Sequence, residues 1–280
     1  MISETTPPGA RLGDLPRPVA LVLSGGGAYG AAQVGQLRAL AECGFAPDLV
    51  VGTSVGALHG AMVARWGLGD AVDRLDALWP TLGRRAVFGP RRRVVTNLRR
   101  LRRPASADPL RALIDDAIGP IGIDELPLRF GAVAADEGDG TPVTITAGPV
   151  ADALIASSAV PGVFPPVELD GRLLIDGGVS ANLPVRQAVA LGAAGVVALD
   201  VAPPELVSSR RGPVGALLQS GAILLRSQAS REAGVPTLVV PSPSPPDVGL
   251  FAFAKWEELR ALGHEGAAAA LGGAAATPQG

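Results

Sequence analysis

Asp48-Leu49-Val50-Val51-Gly52-Thr53-Ser54-Val55-Gly56-Ala57-Leu58 is the stretch that decides what kind of fold this chain takes. Leu49 to Val51 is a short apolar run of the kind a buried strand carries. Gly-x-Ser-x-Gly follows at once, and Val55 to Trp66 predicts a helix. In that strand–turn–helix setting the pentapeptide means a nucleophile elbow. A sharp turn lifts Ser54 out of the sheet on a strained backbone, and Gly52 and Gly56 let strand and helix pass close together. The hydroxyl then stands at a helix N-terminus, where unpaired N–H groups favour developing negative charge. The competing reading is a helix N-cap serine between two packing glycines. The pentapeptide alone leaves both open.

Upstream, Val19 to Leu23 is a second apolar run, followed by Ser24-Gly25-Gly26-Gly27-Ala28-Tyr29-Gly30. Ala31 to Cys43 then carries helical apolar spacing through Val34, Leu37, Leu40 and Ala41 and stops at Gly44. Strand, helix, strand, helix in this short span is a βαβ unit with a parallel pair. Downstream, Asp70 to Trp79 is an amphipathic helix. Arg84 to Arg103 holds nine arginines with few acids between them and reads as an insertion or cap. Asp108 to Ile118 resumes helix. Phe130 to Ala134 and Val143 to Thr146 are strands joined by the turn-rich Asp136-Glu137-Gly138-Asp139-Gly140. Asp152 to Ser158 is a short helix before the rigid apolar loop Pro161 to Pro166. Leu173 to Ile175 is a strand ending in Asp176-Gly177-Gly178. A helix over Pro184 to Leu191, strands over Val196 to Leu199 and Thr237 to Val240, and a helix from Lys255 through the alanine run complete the pattern. Residues 1–17 and 273–280 read as disordered tails around one domain spanning 18–272.

Composition excludes several classes. Hydrophobic residues make up 48% of the 280, enough for a large core. A net charge of −2 gives no overall pull toward nucleic acid or membrane. The single cysteine, Cys43, rules out an intrachain disulfide framework and suits a reducing compartment. Met1 to Pro18 lacks the apolar region of a secretory leader, and no apolar run is long enough to span a bilayer. The expectation is a cytoplasmic protein with no nucleic-acid partner.

The glycine turn after the first strand has two functional readings. Gly25-x-Gly27-x-x-Gly30 matches the dinucleotide fingerprint, which also needs an acidic residue at the end of the second strand. Here Asp48 stands at that strand's beginning, so the second requirement is not met. The alternative is an oxyanion hole, in which consecutive glycines point the N–H groups of Gly26 and Gly27 into one spot beside Ser54. A serine nucleophile also needs a base. His59 lies roughly 140° around the helix axis from Ser54 and out of reach. His264, in the last helix, has nothing to aim it and reads as a surface histidine. Asp176 ends a strand and is expected at the same sheet edge as Ser54. A turn aspartate is the competing reading. With a reference pKa of about 3.9, an aspartate serves as a base only where burial raises that value.

In order and spacing, Gly25-Gly26-Gly27-Ala28-Tyr29-Gly30, Gly52-Thr53-Ser54-Val55-Gly56 and Asp176-Gly177-Gly178 resemble the patatin-like phospholipases. Ser157-Ser158-Ala159-Val160-Pro161-Gly162-Val163-Phe164-Pro165-Pro166 looks like that family's loop before the aspartate. The resemblance spans Val19 to about Val201. It implies a three-layer α/β/α fold with a mostly parallel sheet and a Ser–Asp dyad without histidine. Ser54 would be the nucleophile, Asp176 the base and Gly25 to Gly27 the oxyanion loop, with Gly30, Gly52, Gly56, Gly177 and Gly178 supporting the motifs. No metal or other cofactor is implied. The substrate class would be a phospholipid or other acyl ester. Tyr29 departs from the family, which usually has Arg or Lys there, and this favours a plain carboxyl ester over a phosphate contact. The arginines of Arg84 to Arg103 suggest peripheral contact with an anionic membrane. Two rivals remain. One is a Ser–Asp–His α/β-hydrolase using His264. The other is an inactive module of this family that binds acyl chains or a partner.

Overall fold

The computed structural model describes residues 11–83, 87, 106–201, 234–242, 248 and 251–272. Its described residues form an eight-stranded sheet in the order β5-β6-β3-β2-β1-β7-β8, with β4 also paired to β3. The first half alternates strand and helix: β1 (Val19–Leu23), α1 (Gly30–Glu42), β2 (Leu49–Thr53), α2 (Val55–Trp66) and α3 (Leu68–Leu78). After α4 (Asp108–Ile118) come β3 (Arg129–Asp136), β4 (Pro142–Ile145) and α5 (Val150–Ser157). Next are β5 (Val167–Leu169), β6 (Arg172–Asp176), α6 (Val185–Ala190), β7 (Gly195–Asp200), β8 (Thr237–Pro241) and α7 (Trp256–Gly272). The pairs β1–β2, β1–β7, β2–β3 and β7–β8 are parallel, while β3–β4, β3–β6 and β5–β6 are antiparallel.

Strand alternation sorts the apolar residues onto two faces. Leu21, Leu23, Val50 and Phe130 join the core made with α1, α2, α3, α5 and α7. Ala20, Val22, Leu49, Val51, Val133 and Val196 form a second core closed by Val185 and Ala188 of α6. β1 and β2 are therefore buried throughout, as central parallel strands are. This is the expected three-layer α/β/α arrangement with a mostly parallel sheet.

Three expectations change. Residues 11–17 belong to the folded domain: Leu12–Asp14 form a 3-10 turn, Leu15 is buried, and Arg17 pairs with Asp48. An apolar side chain with a core to enter ordered a segment that its prolines and mixed charge marked as a tail. β3 runs two residues beyond Ala134, to Asp136, where it pairs with β6. β5 has only three residues after Pro165-Pro166, too short to show an alternation. The arginines of 84–103 and the tails at 1–10 and 273–280 lie outside the described residues. No helix among the described residues is long and apolar enough to cross a membrane.

Candidate active site

Ser54 follows β2 directly, at φ 54 and ψ −124. A non-glycine residue at positive φ is strained, and such strain persists only where the surroundings impose it. Ser54 occupies the N-cap position of α2, but its side chain makes no capping bond to the helix. The turn is tight because α2 sits on the strand ends. A Cβ on Gly52 would lie 2.2 Å from the Gly56 carbonyl oxygen, and one on Gly56 would lie 2.5 Å from the carbonyl oxygens of Leu23 and Ser24. No side chain larger than hydrogen fits at either position.

Asp176 reaches Ser54 by a route the sequence did not show. Its strand, β6, is antiparallel to β3 and pairs with the part of β3 that projects beyond β2, with Ala134 opposite Asp176. Thr53, the last residue of β2, lies opposite Val133 on the other side of β3. After Asp176 the chain crosses over β3, and a Cβ on Gly177 would lie 2.1 Å from the Val133 carbonyl oxygen and 3.1 Å from Thr53 Cγ2. Glycine at 177 therefore lets the aspartate's turn lie against the end of β2. The Thr53 hydroxyl locks the two together by donating to the Ala181 carbonyl at 2.8 Å.

Asp176 is 6% exposed. Burial pushes its carboxyl pKa up to about 6, against the opposing pull of hydrogen bonds from the Ser54 hydroxyl and the Gly178 N–H. The Gly178 N–H donates to Asp176 Oδ1 at 2.7 Å. The result is a carboxylate beside the Ser54 hydroxyl that takes up a proton far more readily than a surface aspartate.

Both histidines are occupied elsewhere. His59 is fully buried in α2; its Nε2 accepts from Trp79 Nε1 at 3.2 Å and its Nδ1 faces Gln33 Oε1 at 2.9 Å. Accepting at Nε2 fixes the proton on Nδ1, which donates to Gln33. Burial holds its pKa down to about 3, so the ring is neutral. His264 sits on α7 with Nε2 2.9 Å from Glu42 Oε2 of α1, which leaves the Ser–Asp–His arrangement without its third member.

The glycine turn is held from two directions. Gln33 Nε2 donates to the Ser24 carbonyl at 2.7 Å, and the Gly25 N–H donates to the Asn182 carbonyl at 3.0 Å. Gly25 therefore offers no free amide. The Gly26 carbonyl accepts from the Tyr29 N–H at 3.1 Å. Because C=O and N–H of one peptide point in opposite directions, the Gly27 N–H is turned away from Tyr29. Among the described residues the N–H groups of Gly26 and Gly27 meet no acceptor. A Cβ on Gly25 would sit 3.4 Å from Ser54 Cβ, which places this loop beside the serine. Tyr29 points into the core: it is 2% exposed and donates its hydroxyl to the Val248 carbonyl. The sequence missed Asn182, whose only signal was a polar side chain six residues after Asp176.

A family profile described as patatin-like phospholipase matches residues 21–189. An uncharacterized NTE family protein of Mycobacterium tuberculosis is 36% identical over 186 residues, 65% of this chain and 49% of that protein. Patatin-like phospholipase domain-containing protein 7 of Rattus norvegicus is 34% identical over 189 residues, 65% of this chain and 13% of that protein. The chain thus spans about half the length of the mycobacterial relative and far less of the rat one. Among solved structures, VipD from Legionella pneumophila has a TM-score of 0.45 at 14% identity over 94% of this chain and 69% of its own. With the matched span holding the glycine turn, the Ser54 elbow and the Asp176 turn, the chain belongs to the patatin-like phospholipase family.

Proposed function

We propose that this chain is a serine acyl hydrolase that cleaves lipid carboxyl esters through an acyl-enzyme on Ser54, with Asp176 as the base. The observation that carries it is the strained Ser54 backbone at the elbow, set beside a buried carboxylate whose pKa is raised to about 6. A base with a pKa near the working pH is ionised in neutral solution yet still accepts a proton as the transition state forms.

Ser54 Oγ attacks the ester carbonyl carbon while its proton passes to Asp176. The carbonyl oxygen takes the negative charge and is held by the Gly26 and Gly27 N–H groups. Collapse breaks the bond to the alcohol, which leaves with the proton from Asp176. Water then gives a proton to the same carboxylate and attacks the acyl-enzyme; collapse breaks the bond to Ser54 Oγ, which takes that proton back from Asp176 as the fatty acid leaves. Each half-reaction returns Asp176 to the carboxylate.

The reading includes peripheral contact with an anionic membrane, supported by the nine arginines of Arg84 to Arg103 in the sequence. Co-sedimentation with anionic vesicles at low salt, weakened by Arg91→Gln, Arg92→Gln and Arg93→Gln together, tests that part. Hydrolysis of a chromogenic short acyl ester tests the chemistry. Wild type turns over, and Ser54→Ala, equally well folded, does not. Turnover by Ser54→Ala at the wild-type rate would rule the proposal out.

A further inference from the structure

The last paired residues of the β2–β3 ladder are Thr53 and Val133. At Ser54 the backbone swings to positive φ, and its N–H leaves the ladder. A buried N–H without an acceptor is costly, and so is a buried carbonyl without a donor. One side chain meets both needs. Ser157, the last residue of α5 and fully buried, accepts the Ser54 N–H at 2.9 Å. The same hydroxyl donates to the Val133 carbonyl at 2.6 Å. A serine in the last turn of a helix commonly bonds back to its own helix. Ser157 instead splices the sheet where the elbow breaks it.

Two residues later the chain touches the other half of the site. The Ala159 carbonyl accepts the Asp176 N–H at 3.0 Å. One short turn therefore grips Ser54 by a hydroxyl and Asp176 by a carbonyl. Covalent geometry between 157 and 159 fixes the spacing of the two grips. The turn is itself anchored, since Ala153, Leu154, Ile155, Ala156 and Ala159 are all buried.

We propose that Ser157 is a positioning residue that holds the strained Ser54 backbone at working distance from Asp176. This rests on the acyl-hydrolase reading above. Losing the hydroxyl frees the Ser54 peptide to relax toward negative φ, carrying Oγ away from the carboxylate and the glycine amides. Misplacement on the scale of an ångström costs about 100-fold in rate. Substrate contacts remote from the elbow are untouched, so the loss falls on kcat.

The test compares wild type with Ser157→Ala and Ser157→Cys. The cysteine keeps the buried volume with a poor hydrogen-bonding group, and covers the case in which the alanine variant does not fold. Each folded protein, checked by thermal melting, is assayed for kcat and KM on a soluble ester and for the rate of covalent labelling by a fluorophosphonate. Both variants are expected to lose about 10- to 100-fold in kcat and in labelling rate, with KM within twofold. A folded variant that labels at the wild-type rate, or that raises KM with kcat unchanged, overturns the proposal for Ser157 alone. Wild type that neither labels nor turns over overturns the acyl-hydrolase reading and this inference with it.

Discussion

Ser54 and Asp176 come from strands that run in opposite directions on either side of β3. Ser54 leaves β2 beside Val133, and Asp176 ends β6 beside Ala134. They meet because β3 projects past β2, β6 pairs with the projection, and the chain then crosses back over the Val133 carbonyl at Gly177. The pairing is thus a product of register, and small changes at the crossing should disturb it.

Gly177→Ala tests the crossing. Its Cβ would sit 2.1 Å from the Val133 carbonyl oxygen, a rigid backbone atom. The variant should lose several kcal/mol of stability, of the order that overpacking and backbone displacement cost together (about 1–3 kcal/mol or more). It should also lose most ester turnover, because Asp176 moves with the turn. Thermal melting and a chromogenic ester assay read the two effects.

The rate should follow the Asp176 carboxyl. With a pKa pushed up to about 6, kcat/KM should rise tenfold per pH unit below that value and level off above it. Asp176→Asn should lose about 10²–10⁴-fold at neutral pH and show no such limb. A wild-type profile flat from pH 4.5 to 8 would contradict the assignment of the base.

The same burial has a cost in stability. A carboxyl whose pKa rises from 3.8 unfolded to about 6 folded binds its proton better in the native state. Its contribution is most favourable below pH 4 and is lost as pH rises through 6. Asp176→Asn should therefore be more stable than wild type at pH 8, by on the order of 3 kcal/mol, and should converge with it near pH 4. Melting temperatures across that range check the sign.

The histidines should separate from the chemistry. His264→Ala removes a surface contact with Glu42 and should leave kcat within twofold. His59→Ala opens a fully buried site and strands Gln33 Oε1 and Trp79 Nε1. It should cost about 2–4 kcal/mol in stability while Ser54 remains the reactive residue. An inactive but folded His264→Ala would restore a three-residue arrangement.

Much of this was legible in the sequence because local rules and global fold agree there. The elbow, the glycine turn and the βαβ unit are contiguous motifs with a fixed physical meaning, and β1 and β2 announced themselves as continuous apolar runs. The antiparallel direction of β6 was not legible. A three-residue apolar stretch before Asp-Gly-Gly carries no sign of its partner strand. Asp176 was expected at the same sheet edge as Ser54 because it ends a strand, with no direction or register to say how the two meet. Asn182 and the role of Ser157 were not legible because each acts through backbone groups that become neighbours only in the folded chain. The burial of Leu15 was hidden by the prolines around it.

Covalent labelling of the whole protein by a fluorophosphonate, with the modified peptide located by mass spectrometry, tests the central claim most directly. The account predicts one adduct, on Ser54, absent from Ser54→Ala and formed more slowly below pH 6. An adduct on Ser24 or Ser158, or none on a protein that still hydrolyses esters, would contradict it.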